Sequence, residues 1–242
     1  MAALDGRTAL VTGASSGIGL ATALAFADAG AHVHAAARRP ELIEEAAAGR
    51  DVVAHHLDVT DRAAVAALAT RLAVEGPLHA LVAAAGTNLK ARRLEQLTPA
   101  AFDDLIALNL TGAFNVVNAF LEPLRATRGD VVLIGSVSGS WPDRAGAAYQ
   151  ASKAAILAFT RGAAFDEEDG VRFTTIMPGL VDTAILDQRP QPPSPELRAR
   201  MLHPDDIAAA CLFAVSLPPR AHVTDLTILP RGLQALGRTG TT

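Results

Sequence analysis

The sequence predicts an α/β fold: a single doubly wound parallel sheet of about seven strands with helices on both faces. Three observations carry that prediction. Seven short apolar runs recur along the 242 residues, helix-like segments separate them, and the runs lack strict alternation of apolar and polar residues. Strands covered by helices on both faces are apolar on both faces, so the period of two that marks a half-exposed sheet disappears. Strands alternating with helices also require crossover connections, which make the sheet parallel.

The elements follow in order. A strand at 8–12 leads into an Ala-rich helix at 17–29, then a strand at 31–36 and a short helix at 41–48. A third strand at 52–57 precedes a helix at 62–74, and a fourth at 80–84 precedes one long helix at 99–125. Strand 131–136, helix 148–166, strand 171–177, helix 205–216 and strand 226–229 complete the pattern. The whole of 1–242 reads as one domain. Residues 187–196 are rich in Pro and polar side chains and read as a loop inserted within it, not as a boundary. The Gly/Thr tail from Gly237 reads as frayed.

Composition narrows the class. Half the residues are apolar and only 4% aromatic, so Ala, Val, Leu and Ile must fill the core. A formal net charge of -4 offers no electrostatic footprint for nucleic acid or an acidic membrane. Residues 1–12 lack the charged start and long apolar run of a signal peptide, and no apolar stretch of spanning length is free of Gly, Pro or charge, which points to a cytoplasmic location. Cys211 is the only cysteine, so an intrachain disulfide and a cysteine metal cluster are both excluded. His32 and His34 read as strand residues without a partner cluster, and no metal is expected.

The first strand ends in Thr12-Gly13-Ala14-Ser15-Ser16-Gly17-Ile18-Gly19, which opens the first helix. Glycines in that place allow a tight turn and the close approach of a pyrophosphate to the helix N-terminus, the arrangement of a Rossmann dinucleotide site. The second strand ends without an acid and is followed by Arg38 and Arg39. A carboxylate there would hold a ribose 2'-hydroxyl, whereas a guanidinium binds a 2'-phosphate, so NADP(H) is favoured over NAD(H). A pair of solvated arginines is the plain alternative.

Tyr149 and Lys153 stand four apart at the start of a predicted helix and share one face. Tyr149 is the only tyrosine, and it follows a strand ending in Ser136. A free phenol has a pKa of about 10, and a nearby ammonium draws it towards the working range of a proton-transfer group.

Taken together, these residues resemble the short-chain dehydrogenase/reductase family over nearly the whole chain. The motifs run from the glycine turn through Asp58-Val59, Leu108-Asn109-Leu110-Thr111-Gly112 and Ser136-Val137-Ser138-Gly139. They continue with Tyr149-Gln150-Ala151-Ser152-Lys153, Pro178-Gly179-Leu180-Val181-Asp182-Thr183 and Pro204-Asp205-Asp206-Ile207-Ala208. The resemblance implies that Tyr149 is the general acid or base and that Ser136 hydrogen-bonds the reacting oxygen. It implies that Lys153 holds the nicotinamide ribose and lowers the Tyr149 pKa, and that Asn109 supports a water-linked proton path to Lys153. Gly13, Ser15, Ser16, Gly17, Ile18 and Gly19 would hold the pyrophosphate side of the cofactor. Arg38 and Arg39 would meet its 2'-phosphate, Asp58 and Val59 its adenine, and Ala85 and Gly86 its backbone. Pro178, Gly179, Val181 and Thr183 would cradle the nicotinamide. Ser138, Trp141, Leu180 and Leu186 would line a substrate pocket, under a loop at about 183–203 whose stretch 187–201 acts as a weakly anchored lid.

Two departures stand out. The family's Asn-Asn-Ala-Gly after strand four is here Ala83-Ala84-Ala85-Gly86, which removes side-chain hydrogen bonds. The ending Thr224-Asp225-Leu226-Thr227-Ile228-Leu229-Pro230-Arg231 looks like that of NADP-dependent members acting on small hydroxy compounds. The expected partner is therefore a small-molecule carbonyl or alcohol. The resemblance further implies a homo-oligomer, a tetramer or dimer, paired through helices 99–125 and 148–166. Competing readings are an NAD(H)-dependent enzyme, a non-catalytic nucleotide-binding regulator, and a 3-ketoacyl reductase whose Lys90, Arg92 and Arg93 attract an acidic carrier.

Overall fold

The computed structural model describes residues 3–167 and 170–234; the tail expected to fray from Gly237 lies outside the described residues. Seven strands form one sheet: β1 (Thr8–Thr12), β2 (His32–Ala37), β3 (Val52–His56), β4 (Ala80–Ala83), β5 (Asp130–Ile134), β6 (Arg172–Pro178) and β7 (Asp225–Ile228). Every pairing is parallel, in the order β3-β2-β1-β4-β5-β6-β7. The helices are α1 (Gly17–Asp28), α2 (Glu41–Ala46), α3 (Arg62–Ala73), α4 (Pro99–Ile106), α5 (Gly112–Thr127), α6 (Ala147–Asp166), α7 (Pro195–Arg198) and α8 (Pro204–Ser216). Each expected strand is found within two residues of its predicted ends.

Alternate residues of each strand enter two separate apolar layers. Along β1, Ala9 and Val11 join Phe26, Val33 and Val215 under α1 and α8. Leu10 joins Leu81, Phe120, Leu133 and Phe173 under α3, α5 and α6. A Phe or Leu so buried contributes about 1.5–3 kcal/mol by leaving water, which is why these strands read as continuous apolar runs. The order reverses at β1, whose neighbours β2 and β4 lead to opposite sides, and a crevice opens at the strand C-termini there.

The long helix expected at 99–125 is interrupted. A π-helical turn, Ala107–Thr111, joins α4 to α5. The wider turn lets Asn109 point inward to the β4 loop, and it sets Gly112 so close to Val59 that a Cβ would lie 2.5 Å from a Val59 methyl. Such bulges recur at functional sites. The run Pro99–Thr127 has the length and mean hydropathy, 1.3, of a membrane span. Its apolar residues Leu105, Val116, Phe120 and Leu124 are buried in the fold, and Gly112, Pro123 and charged residues break it.

At the opposite end of the sheet, His32 and His34 do have partners, contrary to the sequence reading. His32 Nδ1 lies 2.7 Å from Asp51, His34 Nδ1 lies 3.0 Å from His55 Nε2, and Arg71 reaches His55 Nδ1 at 2.9 Å. With Glu75, the ligating atoms of His32 and His34 fall within 4.8 Å of one another. Residues from β2, β3 and α3 converge here, which no local spacing could reveal. Arg71 can only donate, so His55 Nδ1 accepts and its Nε2–H donates to His34 Nδ1. His34 then carries its proton on Nε2, facing Glu75 at 3.7 Å. A metal at Nε2 would have to reverse this chain of donors against Arg71.

Burial holds His55 down at about 4 and His34 below its ordinary 6.5. The unfolded chain takes up the His55 proton near 6.5, but the folded protein does so only near 4. Stability is therefore complete above the unfolded value and falls as pH drops through that window, by up to about 3 kcal/mol for this residue. Gln at this position can accept from Arg71 and donate to His34. His55→Gln should stay within about 1 kcal/mol of the parent at about pH 7.5 and lose less stability by about pH 5. Denaturant unfolding at both values reads this; an unchanged acid-side loss places the titration elsewhere.

Candidate active site

The crevice is built from the glycine turn outward. Gly13 has φ +68, and a Cβ on it would lie 2.6 Å from the Ala85 amide nitrogen. Only a glycine lets the β1 turn sit on the β4 loop in this way. Gly19 is equally confined, since its Cβ would meet the Gly13 carbonyl at 2.4 Å. Ser16 precedes α1 in an extended conformation without capping it, and the first turn contains no acid. The first N–H groups of α1 are thus left for an anion, assisted by the helix dipole. Ser15 and Ile18 are half-buried beside the turn, and Ser16 is exposed. Thr183 arrives from the loop after β6, its methyl 3.2 Å from a Cβ built on Gly17. An uncapped helix end beside a backbone cradle closed to side chains fits a pyrophosphate.

Arg38 and Arg39 are exposed directly after β2. Asp58 takes the Thr60 amide at 2.9 Å and its hydroxyl at 2.7 Å, and these bonds, with a smaller contribution from Arg38, hold its carboxyl below the usual range. Val59 is buried, and its carbonyl accepts Asn115 Nδ2 at 3.0 Å. Asn115 went unremarked in the sequence, where nothing distinguishes it from any polar residue of a helix.

At the other end of the crevice, Asn109 pins the β4 loop. Its Oδ1 accepts the Thr87 amide at 2.9 Å, while Nδ2 donates to the Thr87 carbonyl at 3.0 Å and to Ser152 Oγ at 3.1 Å. This clamp answers the concern raised by Ala83 and Ala84: the loop is held from the π turn instead of by its own side chains. Ala83 is simply buried in β4. Gly86 lies between the two groups, its virtual Cβ 3.3 Å from Asn109 Oδ1 and 3.6 Å from Lys153 Nζ.

Lys153 is buried, and its Nζ donates to the Ile134 carbonyl at 2.8 Å. Burial presses its pKa down to about 8. Its Nζ stands 5.8 Å from the centre of the Tyr149 ring. The expectation that Lys153 draws the phenol down is not met. Burial pushes Tyr149 up to about 12; a hydrogen bond with Ser136 opposes this, Asp143 adds to it, and Arg92 and Arg189 pull weakly the other way. The ammonium is spent on a backbone carbonyl and is itself desolvated, so it does not lead the balance.

The candidate pocket residues divide. Ser138 is buried, and its hydroxyl is committed to Asp143. Leu186 is buried in a 3-10 turn, Ala184–Gln188, while Trp141 and Leu180 are half-buried. Gly179 has no room for a side chain because Gln234 Oε1 would lie 2.3 Å from its Cβ; that oxygen accepts the Leu180 amide at 3.0 Å. Pro178 and Val181 are buried on either side. A small cleft beside Tyr149 is lined by Leu89, Arg92, Leu97 and Gly146; Leu97 and Gly146 were not singled out in the sequence. The basic cluster considered for an acidic carrier is split, with Lys90 and Arg93 exposed and Arg92 withdrawn into this cleft.

The lid was expected to be weakly anchored, and this needs correcting. Apolar anchors are indeed few, but Arg198 pairs with Asp182 at 2.8 Å and with Asp187. Val181 and Leu202 form a parallel bridge. Ser194 caps the short helix α7, and Pro195 occupies its first turn, where no amide proton is needed.

Comparison with known proteins places these features. The sequence profile of the short chain dehydrogenases matches residues 7–193. An alcohol dehydrogenase of the archaeon Thermococcus sibiricus, solved with 5-hydroxy-NADP, superposes with a TM-score of 0.86 at 30% identity, covering 95% of this chain and 98% of that one. The closed form of a serine dehydrogenase complexed with NADP+ gives 0.86 at 28% identity over 98% and 100% of the two chains. The cis-4-hydroxycyclohexanecarboxylate dehydrogenase of Sinomonas cyclohexanicum is 34% identical over 230 residues, 87% of this chain and 89% of that one. The glycine turn over a parallel sheet and the Tyr149–Lys153 face of α6 thus have a common origin: the chain belongs to the short chain dehydrogenase family and is an oxidoreductase of that family.

Proposed function

We propose that the enzyme transfers a hydride between NADP(H) and a carbonyl or secondary alcohol, with Tyr149 as the proton-transfer group. The observation that carries this reading is the placing of Tyr149 and the buried Lys153 on one face of α6, with Lys153 Nζ 5.8 Å from the centre of the phenol ring. When bound, the nicotinamide supplies or accepts the hydride. A phenol pushed up to about 12 is protonated at neutral pH, so Tyr149 is a loaded acid for a carbonyl oxygen gaining charge. Ser136 supplies a second hydrogen bond at that oxygen. Lys153 sets a positive charge beneath both, and Asn109 fixes the loop that Gly86 shares with it. Tyr149→Phe should keep the fold and cofactor binding and lose at least roughly two orders of magnitude in turnover. Near-normal turnover in a folded variant removes Tyr149 from the chemistry.

The preference for NADP(H) rests on the exposed Arg38 and Arg39 at the end of β2, with no acid in their place. Arg38→Asp should weaken NADPH binding by roughly tenfold or more relative to NADH, because repulsion replaces a bidentate contact. Titration of cofactor fluorescence reads both constants; equal losses for the two cofactors would show that Arg38 does not read the 2'-phosphate and would favour NAD(H).

The reading places a cytoplasmic homo-oligomer, a tetramer or dimer, behind this activity. Phe102 on α4, Phe114 on α5 and Phe165 on α6 are exposed, and Phe114 meets Phe159 edge-on at 6.1 Å. Aromatic rings gathered on neighbouring helices form the kind of patch that association covers. Light scattering at micromolar concentration should give a multiple of 25.0 kDa; the monomer mass would overturn the claim.

A further inference from the structure

We propose that Arg92 and Arg189 form an anion subsite beside Tyr149 that binds the carboxylate of a short hydroxy-acid or oxo-acid substrate. This inference rests on the reading of Tyr149 as the proton-transfer group and names the substrate class for it.

Arg92 lines the cleft that contains Tyr149, and it is held there firmly. Gly146 packs on its backbone so closely that a Cβ would meet the Arg92 carbonyl at 2.8 Å. Its Nε donates to the Leu89 carbonyl at 3.0 Å, and Asn88 staples the same loop to Ala145 at 3.1 Å. The outer nitrogens of the guanidinium remain for another partner. Arg189 follows directly after the 3-10 turn Ala184–Gln188, and its amide donates to the Leu186 carbonyl at 3.0 Å. Gln188 before it accepts the Thr87 hydroxyl at 3.2 Å, tying this segment to the β4 loop.

The two guanidiniums are half-buried, and the Gln188–Thr87 bond brings the segment of Arg189 to the residue before Asn88, which lines the cleft. Among the described residues neither makes an ion pair, whereas Arg125 and Arg198 each hold two acids and Arg172 holds Asp130. One carboxylate, Asp143, influences both. Its oxygens are already engaged, accepting the Ser138 hydroxyl and the Ala145 amide at 2.8 Å. Two cations against one acid leave a single positive charge in excess at the mouth of the cleft. Partly desolvated like charges are costly, and an incoming carboxylate relieves them with bidentate bonds. A carboxylate held there puts the carbinol carbon of a short acid within reach of Tyr149. In reduction the oxo carbon of such an acid takes a hydride from the nicotinamide and its oxygen takes the Tyr149 proton, and the carboxylate is unchanged.

The test compares a short 3-hydroxy acid, its methyl ester and a hydroxyalkyl phosphate of equal length as substrates of the parent and of Arg189→Met, Arg92→Met and Arg189→Lys. The parent should favour the acid over the ester by roughly 10- to 100-fold in kcat/KM, the scale of a charge-assisted contact. The acid-over-ester ratio should fall at least tenfold in each Met variant, carried by KM, and recover in part in Arg189→Lys. Calorimetry with malonate, without turnover, should show binding to the parent that Arg189→Met weakens by a similar factor, with circular dichroism establishing its fold. Equal turnover of acid and ester, a ratio unmoved in both Met variants, or preference for the phosphate overturns the proposal. Absence of turnover on all three, with malonate binding still lost in Arg189→Met, sinks the assignment of the chemistry and leaves the subsite standing.

Discussion

An ammonium sealed inside the protein is the constraint around which the site is arranged. Lys153 lies buried between α6 and the end of β5, with the Ile134 carbonyl as its hydrogen-bond acceptor. Removing such a charge from water costs several kcal/mol even after relaxation. The surroundings are shaped to admit it. Gly139 must lack a side chain because its Cβ would strike the Lys153 backbone at 2.6 Å, and Gly86 leaves space above Nζ. The π turn brings Asn109 to Ser152, one residue before the lysine, so the same helix is fixed from a second direction. Stability is given up locally to keep a cation at this end of the crevice.

Much of this was legible in the sequence because it is local. The strands read as apolar runs because parallel strands are covered twice, and the glycine turn, Ser136, Tyr149 and Lys153 stand at spacings that a single strand end or helix turn dictates. The π turn at Asn109 was not legible, since its apolar pattern continues through 99–125 and the cause is a contact with Thr87 across the crevice. Asp143, Arg189 and Gln234 escaped for the same reason: each matters through a partner brought near by tertiary structure. His32 and His34 show the converse error. No neighbour in sequence suggested a cluster, yet β3 and α3 deliver His55, Arg71 and Glu75 to them.

The two ends of the sheet carry different polar chemistry. At the C-terminal ends, backbone groups and charges are left open: an uncapped α1, exposed arginines after β2 and, among the described residues, an Arg92 guanidinium without an ion pair in the cleft beside Tyr149. At the N-terminal ends, polar side chains satisfy one another, as in the chain from Arg71 through His55 to His34. Both depend on the parallel register, which points every strand's carboxyl end the same way.

The contact of Gln234 with the loop after β6 makes the far end of the chain part of the crevice wall. Its side chain fills the space over Gly179 and supplies the acceptor for the Leu180 amide. Truncating this side chain would uncover that amide and remove the nearest of three side chains packed on the glycine, leaving Leu229 and Pro230.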